Sequence, residues 1–125
     1  MARQDCPWRH YFLHRNHALS VATAARYRGI GAEVFVSSQV PPERLRLIEN
    51  CGARIRSAGD NPLEAELAAR AAAVASGKPY ISPYNDPDVI AGQGTIGIEA
   101  VQQVDSIDAI YVAVGGGGLE RGRRR

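Results

Sequence analysis

Two features that would place a protein outside the cytoplasm are missing from this sequence. No stretch approaches the roughly 20 consecutive apolar residues that cross a bilayer, and the first residues lack the apolar segment of a secretory signal. Cysteine is also scarce: Cys6 and Cys51 lie in segments of very different character, too few for a disulfide framework. We therefore expect a cytoplasmic protein with two free thiols, without membrane contact, and long enough at 125 residues to bury a core.

Basic charge is scarce in the body of the chain and concentrated at its ends. The net charge is +2 over residues 1–15 and +3 over residues 120–125, but −3 over residues 16–119. The pI of 8.7 is therefore no argument for a nucleic-acid-binding domain. Arg121 and residues 123–125 could touch nucleic acid or acidic lipid, but a short terminal charge run is usually solvated. No specific nucleic-acid partner is expected.

Helical and strand patterns alternate from about residue 17 onward. Such alternation with short connections predicts an α/β fold, a parallel sheet flanked by helices. The predicted helices cover residues 17–27, the segment from Pro42 to Gly52, the segment from Asn61 to Gly77, and residues 96–104; the predicted strands cover residues 32–37, 53–57, 79–82 and 109–114.

The helix after Asn61 is the best marked of these elements. Asn61 can cap it, Pro62 suits its first position, and Glu64 follows the cap at capping-box spacing. Its larger apolar residues line one face: Leu63, Leu67, Ala71 and Val74.

Four consecutive glycines, Gly115 to Gly118, directly follow the apolar run Ala109–Val114. That run is typical of a parallel strand covered on both faces. A glycine loop at the end of such a strand can expose successive N–H groups and hold a phosphate, although a flexible turn explains the same residues. The loop is not a dinucleotide fingerprint, because Glu120 occupies the position of the third glycine.

Two further groups of residues have simpler explanations than a site. Cys6, His10 and His14 have helical spacing and could gather round zinc, but Pro7 weakens the helix, and no metal site is expected. Asp86 and Asp88 flank Pro87, where a catalytic carboxylate pair is conceivable and turn-forming residues are favoured.

Four segments in order resemble the fold-type II pyridoxal-phosphate (PLP) enzymes of the threonine/serine dehydratase family, which includes serine racemase-like members. The segments are NHALSVATAARYRGI from Asn16, VPPERLRLIENCGARI from Val40, PYNDPDVIAGQGTIGIE from Pro83, and AVGGGGL ending at Leu119. The resemblance implies an internal fragment with a partial type II PLP-enzyme fold. It divides the chain into an irregular arm at 1–15, the PLP-enzyme region at 16–119, and a basic tail at 120–125.

The resemblance also implies roles for individual residues. Asn16 would hydrogen-bond the ring hydroxyl of PLP, and Gly115, Gly116, Gly117 and Gly118 would hold its phosphate. Two features depart from the family: Leu13-His14-Arg15 replaces the Ser-Ser-Gly before the asparagine, and the segment with the Schiff-base lysine is absent. Lys78 is the only lysine, and its position after a helix C-terminus is typical of a solvated charge. No catalytic residue is assigned.

The function implied is dehydration and deamination of L-threonine or L-serine to a 2-oxo acid and ammonia, with this chain inactive alone. The alternative is a non-catalytic module that binds phosphate or PLP, or docks onto a complete homologue; oligomerisation stays open. The loss of pattern on both sides of the matched region predicts that residues 1–15 and 120–125 come from shifted reading frames.

Overall fold

A computed structural model describes residues 9–12 and 15–122 of the chain. The chain divides into two compact units, with the boundary between Ile81 and Ser82. The first unit contains the strands β1 (Arg9–Phe12), β2 (Ala32–Val36), β3 (Arg54–Ser57) and β4 (Tyr80–Ile81) and the helices α1 (Arg15–Arg28), α2 (Pro42–Asn50) and α3 (Pro62–Ser76); the second contains α4 (Pro87–Gln103) and α5 (Gly118–Gly122).

The four strands of the first unit form one parallel sheet in the order β3-β2-β1-β4. Helices connect successive strands, as parallel pairing requires. Every residue of β2 is buried, and Val34 and Val36 are the largest fully buried side chains. The predicted α/β fold with a parallel sheet is therefore confirmed.

Strand β1 was missed by the sequence reading, which expected an irregular arm over residues 1–15. Arg9–Phe12 instead occupies an interior position of the sheet, where His10 pairs with Glu33 of β2 and with Tyr80 of β4. Pairing on both sides satisfies the backbone hydrogen bonds of this strand. The four residues lack the apolar alternation that would predict a strand from sequence. Four residues of the segment that was expected to be irregular thus form a strand, while the division of the chain after residue 15 stays a prediction.

Helix α3 packs on the sheet through its smallest side chains. Ala65 and Ala69 are fully buried, whereas Leu63 and Leu67 of the predicted apolar face are 63% and 56% exposed. Alanine leaves room for the helix axis to approach the strands closely, so the small residues face the core. The apolar stripe of α3 therefore points outward rather than into this unit.

The ends of α3 are as the sequence predicts. The Asn61 side chain accepts a hydrogen bond from the Glu64 N–H (3.0 Å), and the Glu64 carboxylate accepts one from the Asp60 N–H (2.7 Å). Gly77 ends the helix in the left-handed conformation at φ 66°. The capping residues thus fix the position of the helix along the chain.

Tyr80 packs at the edge of the core, as expected of an amphipathic side chain. It is half-buried, its hydroxyl lies 3.4 Å from the Glu66 carboxylate, and the Arg70 guanidinium lies 4.6 Å from its ring centroid. The side-chain hydrogen bond to Glu66 raises the pKa of Arg70 above its usual value, so Arg70 stays charged.

In the second unit, α4 begins well before the predicted start at residue 96. The Asp86 side chain accepts hydrogen bonds from the N–H groups of Asp88 (2.9 Å) and Val89 (3.3 Å), and Pro87 fills the first helical turn. The turn explanation for Asp86 is favoured over a catalytic carboxylate pair, because this side chain is engaged as a helix cap.

The predicted strand Ala109–Val114 is wrong. The segment joins no sheet formed by residues 9–12 and 15–122, and its side chains are open to solvent, with Ile110 50%, Tyr111 97% and Val114 66% exposed. A β-strand is defined by its backbone hydrogen bonds to a neighbouring strand. The apolar composition of a segment does not specify which strand would be that neighbour.

The predicted basic tail is helical where the structure describes it. Helix α5 runs from Gly118 to Gly122, and it contacts α4 where Gly94 and Gly122 approach each other. A Cβ on Gly94 would lie 2.6 Å from the Gly122 carbonyl oxygen, so the two helices meet through bare backbone. Residues 123–125 lie outside the described residues.

Candidate phosphate-binding loop

The glycine loop borders a cleft of about 220 Å³ in the second unit. The loop connects residues 109–114 to α5, and Gly118 is both its last residue and the first of the helix. The cleft is lined by Pro83, Tyr84, Gln93, Ala113, Gly115, Gly116, Gly117, Gly118, Leu119 and Glu120. All four predicted phosphate-binding glycines therefore lie at one cleft.

Three of the four glycines are required by the shape of the loop. Gly117 has φ +83°, a conformation that side chains rarely adopt. A Cβ on Gly116 would overlap the Tyr84 ring, and one on Gly118 would lie 2.8 Å from the Pro83 carbonyl oxygen. These constraints support a shaped cradle over the alternative of a flexible turn.

The opposite wall is a turn organised by a buried serine. Ser82 is 6% exposed, and its Oγ accepts hydrogen bonds from the N–H groups of Tyr84 (3.3 Å) and Asn85 (3.2 Å). Arg121 of α5 donates to Asn85 Oδ1 at 3.0 Å and thereby ties the helix to this turn. The sequence reading missed these residues, although a Ser-Pro-Tyr-Asn segment is rich in turn formers.

The charge of the cleft opposes an anion. Glu120 is the charged residue among those that line it, and Arg121 is engaged with Asn85. The donors that line the cleft are therefore uncharged: backbone N–H groups of the glycines, the Gln93 amide and the Tyr84 hydroxyl.

The other two residues of interest lie in the first unit. Asn16 is exposed in the first turn of α1, and its carbonyl accepts a hydrogen bond from Ser20 Oγ at 3.0 Å. Lys78 is half-buried just beyond α3, where its backbone N–H donates to the Ala73 carbonyl at 3.2 Å.

The described part of the chain shows neither a metal-binding cluster nor a membrane-spanning helix. Residues 9–12 and 15–122 contain no cluster of three His, Cys, Asp or Glu residues suited to a metal ion. The zinc ligands considered at Cys6 and His14, and the His10 side chain, lie outside what is described. No helix in these same ranges has the length and apolar character to cross a membrane.

The pattern of the family described as "Pyridoxal-phosphate dependent enzyme" matches residues 16–122. The chain belongs to this family, whose cofactor is pyridoxal phosphate. The matched span begins at Asn16, includes the whole glycine loop and α5, and ends at residue 122.

Individual relatives share both sequence and fold with this chain. It is 40% identical over 108 residues to Threonine dehydratase 1 biosynthetic, chloroplastic, from Solanum lycopersicum, covering 86% of this chain and 18% of the relative. The solved structure of threonine deaminase isoform 2 from Solanum lycopersicum matches with TM-score 0.85 and 32% identity, over 98% of this chain and 36% of that one. The structure of maize serine racemase matches with TM-score 0.81 and 32% identity, over 90% of this chain and 34% of the racemase.

The chain therefore spans less than two fifths of each of these proteins. The resemblance to fold-type II enzymes of the threonine dehydratase and serine racemase kind is confirmed, as is the partial coverage expected of a fragment.

The described residues fit one end of pyridoxal phosphate. The bare glycine cradle, in which added Cβ atoms at Gly116 and Gly118 would meet the opposite wall, suits a compact phosphate held by N–H groups. The glycine loop does not supply the lysine amine that binds the cofactor as a Schiff base. The only lysine of the sequence, Lys78, borders a groove beside Arg54 and Arg56 in the first unit. The phosphate-binding role of the loop stays a prediction.

Proposed function

We propose that this chain is part of a PLP-dependent enzyme that removes water and ammonia from L-threonine or L-serine and yields a 2-oxo acid. The observation that carries the proposal is the shaped glycine loop inside the span that matches the family. The similarity to a threonine dehydratase at 40% identity supports the reaction class. Cys51 is a free thiol, which suits a cytoplasmic location.

Each proposed binding residue has one task. The N–H groups of Gly115 to Gly118 hold the phosphate. For Asn16, the resemblance to the family supports a hydrogen bond to the ring hydroxyl. Bound pyridoxal phosphate supplies an electron sink for negative charge at the substrate α-carbon. The chain's own residues orient the cofactor, and none of them is assigned a catalytic step.

The isolated chain of 125 residues is proposed to be inactive. The chemistry needs a lysine that binds the cofactor and moves the α-proton. Lys78, the only lysine of the sequence, lies just beyond α3 and lines a cleft with Glu33, Arg54 and Arg56, and we do not assign it this role. We expect neither 2-oxobutanoate nor pyruvate above the background of free PLP. Product formation that Lys78→Ala abolishes would overturn this part of the proposal.

Binding tests the phosphate role separately from catalysis. Pyridoxal phosphate and pyridoxal are titrated while the amide signals of Gly115 to Gly118 are followed by NMR. Because Glu120 opposes the anion, we expect pyridoxal phosphate to bind with about millimolar affinity, roughly −4 kcal/mol, and pyridoxal to shift these signals less.

A matched pair of variants shows whether the shape of the loop matters. Gly117→Ala strains the loop at φ +83°, whereas Gly92→Ala in α4 meets open space. The first should abolish the phosphate-dependent shifts, and the second should preserve them. Equal shifts from both ligands, or unchanged binding by Gly117→Ala, would contradict a phosphate cradle.

A second candidate, a module that docks onto a complete homologue or a second copy, is favoured by the apolar surface of α4. Ile96, Ile98 and Val101 are 48%, 60% and 69% exposed, and exposed apolar clusters often mark interaction sites. Light scattering after size-exclusion chromatography tests it. A monomer at all concentrations that does not associate with a full-length threonine dehydratase removes this candidate.

A further inference from the structure

A second cleft, of about 360 Å³, lies wholly within the first unit. Its walls come from β2, β3, the C-terminal part of α3 and Lys78, two residues beyond the helix. The lining residues are Glu33, Arg54, Arg56, Ala72, Ala75, Ser76 and Lys78. Three cationic side chains thus border one cleft together with a single carboxylate.

The carboxylate holds one of these cations in place. Glu33 is 5% exposed, and its Oε1 accepts a hydrogen bond from Arg56 Nε at 2.8 Å. The Arg56 side chain remains 58% exposed, and its guanidinium lies 6.0 Å from the Phe35 ring centroid. The pair therefore fixes Arg56 at the cleft and still leaves it accessible to a ligand.

The end of α3 reduces the positive charge of this cleft only in part. A helix C-terminus carries about half a negative charge. Two of the carbonyls that produce it are already engaged, since the Gly77 N–H donates to the Val74 carbonyl (3.4 Å) and the Lys78 N–H to the Ala73 carbonyl (3.2 Å). Among the described residues that line the cleft, Arg54, Arg56 and Lys78 carry three positive charges and Glu33 carries one negative charge, so this lining is net positive.

We propose that this cleft binds a small organic dianion, with Arg54, Arg56 and Lys78 as the cationic partners. The charge balance suits a phosphate monoester or a dicarboxylate, and guanidinium groups match both anions. The methyl groups of Ala72 and Ala75 give a short carbon stem an apolar surface. The proposal is independent of the glycine loop.

NMR titration of the full chain with inorganic phosphate and with succinate tests the site, at constant ionic strength. We expect saturable shifts of the Ser76, Gly77 and Lys78 amides with at least one probe. Acetate, which carries a single charge, should bind more weakly. A response to phosphate alone identifies the phosphate class, and a response to succinate alone identifies dicarboxylates.

Three variants decide whether the cleft itself is responsible. Lys78→Gln and Arg54→Gln should each weaken binding about threefold or more, the upper range for a charge pair at a surface. Arg46→Gln removes the same charge from an exposed position of α2 that does not line the cleft, and it should leave binding unchanged. Arg56 is not substituted, because its loss would leave Glu33 without this ion pair.

The proposal fails if neither probe gives a saturable shift at these amides. It also fails if acetate binds as tightly as the dianions, or if Arg46→Gln weakens binding as much as Lys78→Gln. Gly117→Ala should have no effect on this titration, which separates its outcome from that of the glycine-loop experiment.

Discussion

The two units of the molecule are built on different principles. The first unit buries side chains between a sheet and its helices, with Ala18, Val34 and Ile48 among the residues 2% exposed or less. In the second unit α4 has no buried residue, and the buried positions of α5 are Gly118 and Gly122. Buried apolar side chains stabilise the first unit, whereas close contacts between backbone atoms determine the shape of the second.

The difference bears on the candidate site. Backbone contacts fix loop shape without much burial of apolar surface, and burial is the main source of folding free energy. The phosphate loop therefore lies in the part of the molecule with the smaller stabilising core of its own, and the dianion cleft lies in the part with the larger one.

Removing the same side chain from each unit gives the largest contrast. Ile48→Ala, at a position 2% exposed, should lower the free energy of unfolding by about 2–5 kcal/mol. Ile98→Ala, at a position 60% exposed, should change it by no more than about 0.5 kcal/mol. Urea unfolding followed by circular dichroism measures both. Similar losses from the two variants would show that the second unit has a core that its exposures do not reveal.

Adding a methyl group to α4 sharpens the contrast from the other side. Gly94→Ala places a Cβ 2.6 Å from the Gly122 carbonyl oxygen, and such overpacking costs about 1–3 kcal/mol. Gly92→Ala meets nothing within 4 Å and should stabilise the helix by about 0.5–1 kcal/mol. Thermal unfolding and the amide signals of residues 118–122 distinguish the two. If backbone contact holds α5 against α4, Gly94→Ala must lower the free energy of unfolding and Gly92→Ala must raise it.

The smallest expected effect concerns charge at the loop. Glu120→Gln removes the carboxylate that lines the phosphate cleft and should tighten pyridoxal phosphate binding roughly two- to fivefold. Glu99→Gln, an exposed position of α4 outside that cleft, serves as the control. The pyridoxal titration should be insensitive to both substitutions. An equal gain in pyridoxal phosphate affinity with Glu99→Gln would show that the effect comes from the overall charge of the protein and not from the cleft.

Local signals in the sequence predicted local structure well. Asn61, Glu64 and Gly77 define α3 because caps act within a few residues. The four consecutive glycines line one cleft, and their phosphate-binding role stays a prediction. The Asp86-Pro87 signal was available too, but it was read as a turn instead of the start of α4.

Non-local pairing is where sequence reasoning failed. Ala109–Val114 has the composition of a buried strand, yet its neighbour in a sheet cannot be read from the segment itself. Arg9–Phe12 lacks that composition, yet it has a strand on each side. The prediction of the buried face of α3 was wrong for another reason. Hydropathy favours Leu63 and Leu67 as the buried residues, whereas close packing of the helix on the sheet buries Ala65 and Ala69.

The interior position of β1 has a consequence for the order of events during synthesis. Arg9–Phe12 emerges from the ribosome before the strands on either side of it, and Tyr80 is among the last residues of the unit to appear. The sheet can grow from β1 through β2 to β3 on one side, but its other side stays unpaired until β4 arrives. Closure across such a long separation is slow compared with helix formation. Translation pauses before Tyr80 would thus hold the nascent unit with an open inner edge, the kind of surface that chaperones bind and that seeds aggregation.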